Sequence, residues 1–238
     1  MRKVAAMRRV LAVMVIAATG LLPLPATAQT APTCFGMEVT ILGTEGKDQL
    51  FGGSGHDVIS ALGEHDYVRG FEGWYDPDLK DWICGGTGPD ALNGDSGNDW
   101  IDGEQGEDYI GGDDGQDRLF GGGGNDTING HWGSDFVDGG PGADLIRNDH
   151  DRAVRWSSDI LHGGEGGDIV GEDSVHGHAT GSDALYGDAG NDNVDGRDWL
   201  HEEGPSTPDL VDGGPGNDRC WADPDDTVIN CEEITIVS

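Results

Sequence analysis

Residues 85–147 read GGTGPDALN, GDSGNDWID, GEQGEDYIG, GDDGQDRLF, GGGGNDTIN, GHWGSDFVD and GGPGADLIR, seven nine-residue units in unbroken succession. They follow one pattern, G-G-x-G-x-D-x-U-x, in which U is a large aliphatic residue. Units of the same length start at Gly43, Gly52 and Ala61 before this block, and at Gly163, Gly187 and Gly213 after it. Longer units start at Gly70, Asn148, Glu172 and Gly196, which brings the total to 17. The sixth position is Asp throughout: Asp48, Asp57, Asp66, Asp81, Asp90, Asp99, Asp108, Asp117, Asp126, Asp135, Asp144, Asp159, Asp168, Asp183, Asp192, Asp209 and Asp218. The eighth is Leu, Ile or Val in 16 units and Cys220 in the last.

The spacing dictates a shape. Positions 1 to 6 make a turn, where glycines permit positive φ and let carbonyls point toward one centre. Positions 7 to 9 make a short strand, and with a period of two only position 8 faces inward. Each turn reverses the chain, so two units close one coil of 18 residues. Stacked coils build an all-β, right-handed parallel β-roll. Turn n then lies beside turn n+2, and its aspartate and carbonyls form the oxygen-rich surroundings that Ca²⁺ prefers and that octahedral, tightly hydrated Mg²⁺ does not.

Composition agrees with this reading. The 238 residues include 43 Gly and 46 Asp+Glu against 13 Lys+Arg, a net charge of −33. Such a surface repels nucleic acid and attracts cations. An acidic, glycine-rich chain without a pattern would be disordered, but an Asp and an aliphatic held two residues apart in every unit call for structure. Residues 1–28 read as a signal peptide: a basic start (Arg2, Lys3, Arg8, Arg9), an apolar stretch from Val10 to Leu22 too short to span a bilayer, and Ala26-Thr27-Ala28 as the cleavage site. Its removal predicts a secreted, extracellular chain with no membrane span. Residues 29–42 are then an N-terminal cap segment, 43–221 the repeats and 222–238 a C-terminal cap.

At this point the chain resembles the haemolysin-type (RTX) calcium-binding repeats of secreted bacterial proteins. The segments Cys34-Phe35-Gly36, Ile41 to Asp48, Ile83-Cys84-Gly85-Gly86 and Asp226 to Cys231 are similar to small secreted actinobacterial members. The resemblance implies that the position-6 aspartates and turn carbonyls bind several Ca²⁺ ions, and that folding waits for calcium. It directs attention to Asp48, Asp57, Asp66, Asp90, Asp99, Asp108, Asp117, Asp126, Asp135, Asp144, Asp168, Asp192 and Asp218. The four longer units, and the third with Ala61, Leu62 and Glu64, depart from the family pattern. Calcium is therefore expected as a long ladder on the odd-numbered turns, none of which is expanded, and as a short ladder around Asp99, Asp117 and Asp135 on the even ones.

Four cysteines in an exported chain suggest two disulfides. Of three possible pairings, Cys34–Cys84 and Cys220–Cys231 join residues at the same end of the roll. His56 and His65 occupy the variable fifth position, and His176 and His178 share an expanded loop. There is no G-x-S-x-G elbow and no H-E-x-x-H, so the sequence offers no catalytic constellation. The expanded units are numbers 4, 12, 14 and 16, all even, so their loops leave the same side of the roll. Trp74, Tyr75, Trp156 and Trp199 lie in these loops and are candidates for contact with an extracellular polysaccharide or protein. The sequence thus predicts a calcium-dependent structural or surface protein, with a calcium-dependent adhesin or carbohydrate-binding module as the alternative.

Overall fold

The computed structural model describes residues 31–70, 79–148, 158–172, 182–197 and 207–237. Among these residues every regular element is a strand. Two ten-stranded sheets dominate, and each takes every second strand of the chain. One, the odd sheet, holds the strands of the odd units, from Gln49–Phe51 through Tyr109–Asp114 to Arg219–Ala222, and ends in Glu233–Ile236. The even sheet runs from Ile41–Leu42 through Trp100–Gln105 to Leu210–Asp212, and ends in Thr227–Ile229. All neighbours within both sheets are parallel, as a coil of two units requires: Tyr109 pairs with Thr127, and Arg118 with Phe136.

Period two puts position 8 between the sheets. Ile59, Ile83, Leu92, Ile101, Ile110, Leu119, Ile128, Val137, Ile146 and their counterparts to Cys220 form one continuous core and are essentially inaccessible to water. Each such side chain contributes about 2 kcal/mol of apolar burial. Positions 7 and 9 face out.

Insertions do not disturb the register. Across them Val58 still pairs with Trp82, Phe136 with Ile160, Ile160 with Ala184, and Ala184 with Leu210. All four expanded turns join an odd strand to an even strand, the connectivity that the count of units predicts. Trp74, Tyr75, Trp156 and Trp199 lie outside the described residues, as do residues 1–30.

At the turns, position 2 takes the left-handed conformation even where it is not glycine. Asp95, Glu104 and His131 have φ of 69°, 68° and 67°. In each case the position-9 side chain two residues earlier accepts the backbone N–H: Asn93 from Asp95 (2.8 Å), Asp102 from Glu104 (2.9 Å) and Asn129 from His131 (3.1 Å). An Asx side chain at position 9 thereby offsets the missing glycine.

The roll also reaches beyond the nonapeptides. Residues 41–42 add a strand before the first unit, and 227–229 and 233–236 add one to each sheet after the last. The segments expected as separate caps are thus partly coils of the roll. Both disulfides form as the sequence suggests, Cys34–Cys84 and Cys220–Cys231, with Cα separations of 5.8 and 6.1 Å. The first does not staple an end. It pins the antiparallel hairpin Thr33–Cys34/Met37–Glu38 to the flank of the even sheet, where Cys34, Val58 and Cys84 form a small second core with Phe35, Val39 and Trp82.

Candidate metal-binding ladders

The position-6 aspartates form two vertical ladders, one along each line of turns. In each, the backbone N–H of one Asp donates to Oδ1 of the Asp one coil onward. On the odd side the bonds run Asp66 to Asp90, Asp90 to Asp108, Asp108 to Asp126, Asp126 to Asp144 and so on to Asp218, at 2.7–2.9 Å. The even side runs Asp57 to Asp81, Asp81 to Asp99, Asp99 to Asp117 and Asp117 to Asp135, and continues through Asp159, Asp183 and Asp209. Nonrepeat residues extend both: Asp209 donates to Asp226, and Asp218 to Glu232. The even carboxylate ladder therefore does not stop at expanded turns. The strand that follows each loop is locked in register, and this carries the Asp just before it into line.

Oδ1 is thus spent on structure, and Oδ2 is the chemically informative atom. In Asp66, Asp90, Asp108, Asp126, Asp144, Asp168, Asp192 and Asp218 on the odd side, and Asp81, Asp99, Asp117 and Asp135 on the even side, Oδ2 is buried without a hydrogen-bond partner among the described residues. An unpaired buried carboxylate oxygen costs several kcal/mol, so such an atom calls for a cation or a proton. Asp48 and Asp57 differ. Their Oδ2 atoms accept the N–H of Thr44 (2.6 Å) and of Gly53 (2.7 Å), which caps their own turns. Asp81 is the position-6 residue of an expanded unit, where calcium is not expected from the sequence, yet it matches its neighbours. The sequence signal for it is the Asp-x-Ile that precedes Cys84.

Electrostatics point the same way. Burial, reinforced by neighbouring carboxylates, pushes Asp99 and Asp135 up to about 8 and Asp108 and Asp144 to about 7. It pushes Asp81, Asp90 and Asp192 to about 6, and Asp117 well above the ordinary carboxylate range. Without a counter-ion Asp99, Asp117 and Asp135 hold protons at neutral pH, and the other groups ionise only at the cost of burying an uncompensated charge.

Glycines leave the room a metal needs. A Cβ on Gly103 would collide with Asp108 Oδ2 and with the carbonyl oxygen of Gly121 one coil onward. One on Gly106 would collide with the carbonyl of Gly88 one coil back and with Asp108 Oδ1. The same arrangement recurs at Gly112 with Asp117 and Gly130, and at Gly121 with Asp126 and Gly139. Each layer therefore gathers one carboxylate and carbonyls from adjoining coils. No three His, Cys, Asp or Glu side chains converge among the described residues, so carbonyls must supply most of the ligands. A hard, all-oxygen set of this kind fits Ca²⁺ and not a soft metal.

The family model of the RTX calcium-binding nonapeptide repeat (4 copies) matches residues 40–70, 85–119, 111–146, 156–170, 171–198 and 208–229, together more than half of the chain. No curated protein matches.

Proposed function

Because the chain belongs to the RTX calcium-binding nonapeptide repeat family, we propose that it is a secreted, multi-site calcium-binding protein whose roll folds on the metal and serves a structural or surface role without catalysis of its own. The observation that carries this is the set of 12 position-6 aspartates whose Oδ2 atoms are buried without hydrogen-bond partners among the described residues. Asp66, Asp90, Asp108, Asp126, Asp144, Asp168, Asp192 and Asp218 would hold ions along the odd turns, and Asp81, Asp99, Asp117 and Asp135 along the even ones, with turn carbonyls above and below. Calcium supplies the positive charge that lets these carboxylates ionise side by side. Asp48 and Asp57 are better read as turn caps, because their second oxygens are already engaged. Secretion is supported by the two disulfides, which suit an oxidising compartment.

The test is a calcium titration of residues 29–238 followed by circular dichroism. At pH 8 and without osmolyte, β-structure should be absent in chelator and appear cooperatively at about 0.1–1 mM calcium, the range of extracellular sites. A cooperative β-type melt in excess chelator under those conditions would contradict the proposal. A second reading, calcium-dependent adhesion through the expanded loops, draws on their emergence from one side of the roll. Glycan-array binding in calcium, lost in Trp156→Ala and Trp199→Ala, would support it.

A further inference from the structure

On the outer face of the even sheet, half-buried rings run from coil to coil. Phe35, held there by Cys34–Cys84, meets Trp100 edge-on at 5.5 Å and Phe120 at 6.1 Å between centroids. Phe120 meets Phe136 at 5.9 Å, Phe136 meets His162 at 5.8 Å, and His162 stacks on Tyr186 at 4.5 Å with the planes 5° apart. Lys80 and Arg118 lie over Trp100, 4.3 and 5.0 Å from its centroid, and occupy that end of the row. Beside Phe35 and Phe120 a groove of about 350 Å³ opens, bordered by Asp102, Gln105, Asp138 and Pro141. Gly122, Gly123 and Gly140 leave this stretch of the surface without side chains.

Three features define what fits. Rings flanked by carboxylates and an amide are the chemistry that holds a sugar, with C–H faces on the rings and hydroxyls on the polar rim. Asp102 and Asp138 border the groove with no Lys or Arg among its described lining residues, and so repel an anionic polymer. The rings recur from coil to coil along the sheet, about one per 4.8 Å strand spacing, so the row suits a polymer more than a single sugar.

We infer that the groove beside Phe35 and Phe120, together with the row of rings that runs on through Phe136, His162 and Tyr186, binds an extended uncharged polysaccharide. The site lies on the sheet face, not in the expanded loops, and it depends on the calcium-folded roll of the preceding proposal. Calorimetry of the calcium-loaded chain with cellohexaose, chitohexaose and polygalacturonate tests it, with circular dichroism recorded on every sample. One of the two uncharged hexasaccharides should bind. Phe120→Ala and, separately, Tyr186→Ala should each weaken that binding about tenfold or more while leaving the β-signal intact, and Trp156→Ala and Trp199→Ala should leave it unchanged. The inference is overturned if the folded protein binds neither hexasaccharide, if both ring variants bind like the parent, or if polygalacturonate binds equally well. A chain without β-signal in calcium would overturn the calcium proposal first, and the groove with it.

Discussion

Asp99→Asn should move the metal-free and the calcium-bound roll in opposite directions. Asp99 is fully buried; its Oδ1 accepts the N–H of Asp81 at 2.8 Å, and its Oδ2 has no partner among the described residues. Burial first, and the Asp117 carboxylate second, push it from 3.8 up to about 8. At pH 8 the unfolded chain ionises this group freely, whereas the metal-free roll holds it only half ionised. The difference opposes metal-free folding by at most about 5 kcal/mol. Asparagine there keeps an oxygen for Asp81 and puts an N–H where the Gly112 carbonyl lies close by. In chelator at pH 8 the variant should therefore be the more stable, by a measurable part of that figure. In calcium it lacks one anionic ligand, so stoichiometry should fall and the folding midpoint rise. Thermal melts in EDTA with trimethylamine N-oxide, which brings a marginal roll into range, give the first quantity, and calorimetric calcium titration the second. If the Asp99→Asn substitution destabilises the metal-free chain and leaves calcium stoichiometry unchanged, Asp99 is only a turn residue and the ladder argument fails.

Two further outcomes follow from the same ladders. Because burial raises their folded values toward 6–8, these carboxyls stabilise the metal-free roll fully below the unfolded value near 3.8, and that stability is lost as pH rises through 6–8. Circular dichroism in chelator should accordingly show more β-structure at pH 5 than at pH 8, and the reverse order would contradict the burial argument. Gly124→Ala puts a Cβ onto the Gly106 carbonyl at a φ of +146°, a strained conformation without room for it. Its calcium folding midpoint should rise several-fold, whereas Gln116→Ala, at the exposed fifth position of another turn, should shift it less than twofold.

The sequence by itself determined the repeating unit. A nine-residue period with an aliphatic at position 8 leaves one way to bury Ile110, Ile128 and Ile146 together, and the even numbering of the expanded units is enough to put their loops on one side. The pairing of the cysteines was legible from their order along the chain, but only the structure shows that Cys34–Cys84 holds a hairpin to the flank of the even sheet. Contacts across the expanded turns lay beyond the sequence, because residues 24 or 26 apart meet only once the strands are in register. That register kept Asp81, Asp159, Asp183 and Asp209 in a ladder that their expanded turns were expected to break, and it continued the ladders onto Asp226 and Glu232 outside the repeats. It also decided which oxygens are free: Asp48 and Asp57 carry the same motif as Asp108, yet hydrogen bonds within their own turns engage the atom that Asp108 leaves bare. The row of rings had no periodic signature either. It draws on Phe35 from the hairpin, Phe136 at position 7 and Phe120, His162 and Tyr186 at position 9, residues that become neighbours only when parallel strands bring successive coils side by side.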